Sequence, residues 1–134
     1  MVALLLNLVA FDASAEVGFD MTVDCSKPEH LQGIDRGQCA GRALEGAKFV
    51  ATKAYAQLLN EVDDSDTKKA IKAAHSSWKQ YAETECHMFT QLQGFGPLGS
   101  MYGEVFADCM RSEYSTRARK LVNIIRVARE SNNR

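Results

Sequence analysis

Residues 38–62, QCAGRALEGAKFVATKAYAQLLNEV, decide the fold. Ala40, Ala43, Leu44, Ala47, Val50, Ala51, Ala54, Tyr55, Leu58 and Val62 recur at i, i+3, i+4 and i+7. That spacing puts them on one stripe, so the segment is an amphipathic α-helix. The stripe is rich in alanine, which predicts that another backbone packs close against it. Downstream, Asp63-Asp64-Ser65-Asp66 breaks the pattern, and Ser65 or Asp66 is expected to cap a second helix. That helix carries Ala70, Ile71, Ala74, Trp78, Tyr81, Ala82, Cys86 and Phe89 on its inward stripe. Gly94-Phe95-Gly96-Pro97-Leu98-Gly99-Ser100 ends it, because three glycines and a proline do not continue a helix.

A third helix is expected from about Met101 to Glu130, with Val105, Phe106, Cys109, Ala118, Leu121, Val122, Ile125 and Ala128 inward. Upstream, Ser26-Lys27-Pro28-Glu29 has capping-box spacing with proline in the first turn. A short helical turn follows, which Gly33 and Gly37 should end. No segment alternates with period two for long enough to be a strand. The expected fold class is all-α: a small disulfide-stapled bundle of three long helices with a short N-terminal helical turn.

At 134 residues the chain is one domain's worth. Its 46% hydrophobic and 25% charged residues are the balance of a folded protein and exclude disorder. Sixteen basic and seventeen acidic residues give a net charge of -1, without the basic excess of a nucleic-acid binder. The basic third helix (Arg111, Arg117, Arg119, Lys120, Arg126, Arg129) reads as a solvated face.

The start, MVALLLNLVAF over residues 1–11, is apolar and leads into Ala13-Ser14-Ala15, a small-x-small pattern that signal peptidases accept. Residues 1–15 therefore read as a signal peptide, 16–24 as a linker, 25–130 as a single helical domain and 131–134 as a flexible tail. The apolar run is too short for a membrane span, which needs about 20 residues. Four cysteines, Cys25, Cys39, Cys86 and Cys109, allow three pairings and contain no CxxC. Cys25–Cys39 and Cys86–Cys109 are expected, because each pair straddles a turn between elements. Disulfides and a signal peptide agree on an exported, periplasmic or secreted product.

No catalytic motif is present: GxSxG, HExxH, the phosphate-binding loop and the dinucleotide fingerprint are all missing. His75, one turn from both Ile71 and Trp78, reads as a half-buried core histidine, as do Trp78 and Tyr81 for the core aromatics. A hydrolase would need His75 and Glu83 to act together. Glu83 and Glu85 flank the stripe within reach of a structural ion pair with Arg117. The Asp63-Asp64-Ser65-Asp66 turn lacks the glycine and distal glutamate of a calcium loop. No catalytic residue, metal ligand or cofactor is expected.

Cys25, Cys39, Tyr55, Trp78-x-x-Tyr81-x-x-x-x-Cys86, Cys109, Arg117 and Leu121 together resemble the small secreted domain of the LprI-type lysozyme inhibitors. That family has an early cysteine pair and Asp-x-x-Leu-Asn-x-x-Tyr in its first long helix. Gln-x-x-Trp-x-x-Tyr-Arg-x-x-x-Cys follows in the second, and a later Cys, Arg and Leu in the last. The resemblance covers about residues 24–122. It departs at Lys48, Ala51 and Thr52 before Tyr55, and at His75 and Ala82 around Trp78 and Tyr81. It implies a non-enzymatic, exported binding protein whose partner is a protein, namely a cationic peptidoglycan hydrolase such as lysozyme. The alternative is a structural or accessory cell-envelope domain with no hydrolase target. The expected contact residues are Asp63, Asp64 and Asp66, which would attract a cationic partner, and Phe95, Pro97 and Leu98, which would enter a cleft. No nucleic acid and no membrane span are expected in the processed chain.

Overall fold

The computed structural model describes residues 21–96 and 101–134. Residues 1–15, read as a signal peptide, and Pro97 and Leu98 lie outside them. Three α-helices follow a 3₁₀ turn at Pro28–His30: α1, Ile34–Glu61; α2, Ser65–Leu92; and α3, Tyr102–Asn132. The fold is all-α, as the helical periodicity requires.

α1 and α3 approach each other most closely. They run parallel, because Arg36 on the first turn of α1 pairs with Glu104 on the first turn of α3 at 3.5 Å. At the other end Arg129 donates to Glu61 at 2.6 and 2.9 Å, and the Asn132 side chain donates to the Glu61 carbonyl. Between these ends Ala40, Leu44, Ala51, Ala54 and Leu58 of α1 are buried with Ala107, Met110, Tyr114, Ala118, Leu121 and Ile125 of α3. Alanine leaves no side chain beyond Cβ, so the two backbones can close on each other.

α1 begins earlier than expected. Gly37 lies inside it, and its N–H bonds the Gly33 carbonyl at 3.3 Å. An interior glycine costs a helix about 1 kcal/mol. The Cys25–Cys39 disulfide and the Arg36–Glu104 pair hold that first turn in place. α3 likewise runs on through Ser131 and Asn132, positions expected as tail.

α2 rests on this pair through a narrower seam. Its buried side chains are Ala82, Cys86 and Thr90. The column Trp78, Ala82, Cys86, Thr90 advances four residues at a time along one face. Thr90 is polar yet fully buried; its hydroxyl donates to the Cys86 carbonyl at 2.7 Å, which satisfies it. Tyr81 and Phe89, expected inward, are exposed, as are Ala70 and Ala74 of α2, Val50 of α1 and Val122 of α3. The apolar stripes are wider than the seams. Met110 and Tyr114 of α3 are buried core residues that the expected stripe omitted.

An aromatic layer pins α2 halfway along. Tyr55 of α1 stacks on His75 of α2 at 4.0 Å between ring centroids. His75 lies 5.4 Å from Trp78, which meets Tyr114 of α3 edge-on at 5.1 Å. The Arg117 guanidinium lies 5.3 Å from the Trp78 ring centroid, a cation–π contact. Arg117 is buried and makes no ion pair among the described residues, so the expected bridge to Glu83 or Glu85 does not form. The ring faces take the place of a carboxylate.

Both disulfides pair as expected, with Cα–Cα separations of 5.6 Å. Cys86–Cys109 ties the last turns of α2 to the second turn of α3, which confirms their antiparallel course. α2 is capped by Asp64, not by Ser65 or Asp66: the Asp64 carboxylate accepts the Thr67 N–H at 2.7 Å. It stops at Gly94, whose φ is 83°. Gly94 N–H bonds the Gln91 carbonyl and Phe95 N–H bonds the Thr90 carbonyl, the pair of reverse bonds of a Schellman motif.

Three stability measurements test this architecture. Replacing Gly94 by alanine forces a Cβ into the left-handed region and should cost about 1 kcal/mol in urea unfolding. The double change Cys86→Ser, Cys109→Ser should cost about 3 kcal/mol, because it releases a closed loop in the unfolded chain. His75 carries a pH signature. Burial first, then the charges of Arg117 and Lys79, lower its pKa from 6.5. The unfolded chain therefore binds the proton more tightly, and the native advantage is complete above about pH 6.5 and lost as pH falls toward the lowered native value. The slope of stability between pH 7 and 5 should shrink in His75→Phe, which keeps a stacking ring.

Candidate partner-binding surface

The acidic turn between α1 and α2 is partly committed to local structure. Hydrogen bonds from Thr67 hold the Asp64 carboxyl below the usual carboxylate range, because Asp64 caps α2. Asp66 pairs with Lys69 at 3.1 Å. Asp63 is exposed beside them. Of the second expected group, Phe95 is half-buried directly after the Gly94 stop.

Phe95 and the acidic turn lie at opposite ends of α2. α2 has 28 residues and spans about 42 Å between them. An ordinary protein interface covers about 800 Å² per partner, roughly 30 Å across, and does not reach both. The acidic turn and Phe95 therefore stand too far apart to share one ordinary interface.

Three of the concavities along the helices bear on binding. The groove between α1 and α3, about 650 Å³, is lined by small residues including Gly46, Ala47 and Ser115, and by Arg111 and Arg119. A cleft of about 490 Å³ opens between α1 and α2 over Met110 and Tyr114 of α3. Lys48 and Lys79 line it with Glu83 and His87. His87 stacks on Phe106 at 4.4 Å and bonds the Tyr102 hydroxyl through Nδ1. His75 is two helical turns from Glu83 and is taken up by its stack on Tyr55, so the structure does not join the two as a catalytic couple.

The third concavity was missed by sequence reasoning. It is a notch of about 300 Å³ between α2 and α3, lined by Glu85, Met88, Phe89, Cys109, Ser112 and Glu113. Tyr81 stands beside it. Its hydroxyl donates to Glu85, and that bond together with the negative charges of Glu85 and Glu113 raises the Tyr81 pKa. A signal existed: Tyr81, Met88 and Leu92 form a second apolar column beside the core column on the same helix. A helix with two apolar columns and one narrow seam must expose one of them. Among the described residues no three His, Cys, Asp or Glu side chains converge as a metal set, and no helix is long and apolar enough to cross a membrane.

The sequence also matches a family model. The model described as Lysozyme inhibitor LprI matches residues 25–121, from the first cysteine of one disulfide to the buried Leu121. No curated protein and no solved structure matches the chain. The matched span contains both disulfides, the aromatic layer and the α1–α3 contact as far as Leu121. The chain belongs to the LprI lysozyme inhibitor family.

Proposed function

We propose that the chain is an exported, non-enzymatic binding protein that inhibits a cationic peptidoglycan hydrolase of the lysozyme type. The observation that carries this reading is the family match over residues 25–121, combined with two formed disulfides. Disulfides persist in oxidising compartments, which is where peptidoglycan hydrolases act. The apolar, small-residue ending of residues 1–15 supplies the export signal in this reading.

Phe95, with Pro97 and Leu98, is the contact that enters the hydrolase cleft. Asp63, Asp64 and Asp66 act at a distance from it, adding to the field that draws a cationic partner in. Their effect is then on the association rate and is screened by salt.

Peptidoglycan turbidity assays test the reading. Lysis by lysozyme should be suppressed by the protein at micromolar concentration, and unchanged lysis would overturn inhibition as its function. Phe95→Ala should weaken inhibition through faster dissociation. Asp63→Asn with Asp66→Asn should slow association at low salt and leave dissociation unchanged, as surface plasmon resonance would report.

A further inference from the structure

The last three turns of α2 expose an apolar patch. Tyr81 is 59% exposed, Met88 50%, Phe89 47% and Leu92 79%. One such residue on a surface is ordinary, whereas four on one stretch of helix mark a contact surface. The patch is also one-signed in charge. Glu85 stands among these side chains, and residues 80–92 contain no Lys or Arg; Glu83 faces the other flank of α2, in the cleft lined by Lys48 and Lys79. Glu113 of α3 faces Glu85 across the notch, and neither carboxylate is paired with a Lys or Arg among the described residues. Arg111 lines the groove on the other side of α3 and is paired with Asp108. Arg117 is buried against Trp78. No Lys or Arg among the described residues pairs with Glu85 or Glu113.

We propose that the notch between α2 and α3 seats an arginine or lysine side chain of a cationic protein partner, its charged head between Glu85 and Glu113 and its stem on Met88 and Phe89. This rests on the reading above that the partner is a cationic hydrolase, and it names the surface that meets it. Arginine and lysine both carry an apolar stem and a charged head, the two chemistries that this notch presents side by side. Phe95 lies three residues beyond Leu92, the last residue of α2, so it stands at the same end of the helix as the patch and one partner can cover both. Charge complementarity selects this occupant over two others. A second copy docked by two-fold symmetry would bring the same patch, with its glutamates, against itself. An anionic lipid surface would be repelled by the same carboxylates.

The test uses the full processed chain and lysozyme in isothermal titration, with circular dichroism as the folding control. Glu85→Lys with Glu113→Lys should weaken binding by about 100-fold, because each reversal sets like charges against the partner. Met88→Lys should weaken it comparably, and Asp63→Asn with Asp66→Asn should change it by less than about fivefold. Retained affinity in the folded Glu85/Glu113 variant would overturn the proposal while leaving inhibition standing. If the wild-type chain does not bind lysozyme at all, the functional reading fails separately. The notch is then tested by nuclear magnetic resonance with a short Leu-Arg-Leu-Arg peptide. Shifts confined to Glu85, Met88, Phe89 and Glu113 sustain it, and their absence overturns it. Self-association of the wild-type chain, abolished by Met88→Lys in sedimentation, would overturn it in favour of a second copy.

Discussion

Ala40 and Ala51 of α1 share one buried cluster with Ala107 and Ala118 of α3, and side chains this small allow two long helices to run parallel at close range. Leu58, Leu121 and Ile125 fill the far end of the same contact, where Arg129 and Asn132 close on Glu61. Parallel neighbours cannot be joined by a short turn. α2 must therefore carry the chain back along the pair, and its position follows from theirs. The Cys86–Cys109 bond and the Trp78 layer are what attach it.

That attachment is narrow, and the surface of the molecule follows from it. A helix buried along one thin column leaves most of its circumference to solvent. On α2 the part left outside includes a second apolar column with Glu85 beside it, and the notch next to Cys109 results. The α1–α3 groove on the other flank of α3 is lined instead by Arg111 and Arg119. One helix thus separates a surface suited to cationic side chains from one of opposite sign. A net charge of -1 conceals this division, since the whole-chain sum carries no information about which face each charge occupies.

The aromatic layer also bears on the family pattern. His75 stands where the LprI-type pattern has glutamine, and its Nδ1 reaches no hydrogen-bond partner. Stacking on Tyr55 holds the ring there instead. The substitution exchanges a polar contact for a ring contact that weakens on protonation, because a charged imidazole would sit near Arg117 and Lys79.

The sequence by itself determined the helix count, the disulfide partners, the breaks at Asp63–Asp66 and Gly94, and the family. These are local properties: periodicity, loop length, capping side chains and the residues that tolerate a positive φ. The tertiary structure decided which of two adjacent apolar columns α2 buries. It also decided that Arg117 takes an indole face rather than a carboxylate, and that the acidic turn and Phe95 stand at opposite ends. Helical periodicity specifies the direction of a stripe to within its width. The neighbour's position sets which part of that width is covered, and α2 turns Ala82, Cys86 and Thr90 inward, which leaves Tyr81, Met88 and Phe89 outside.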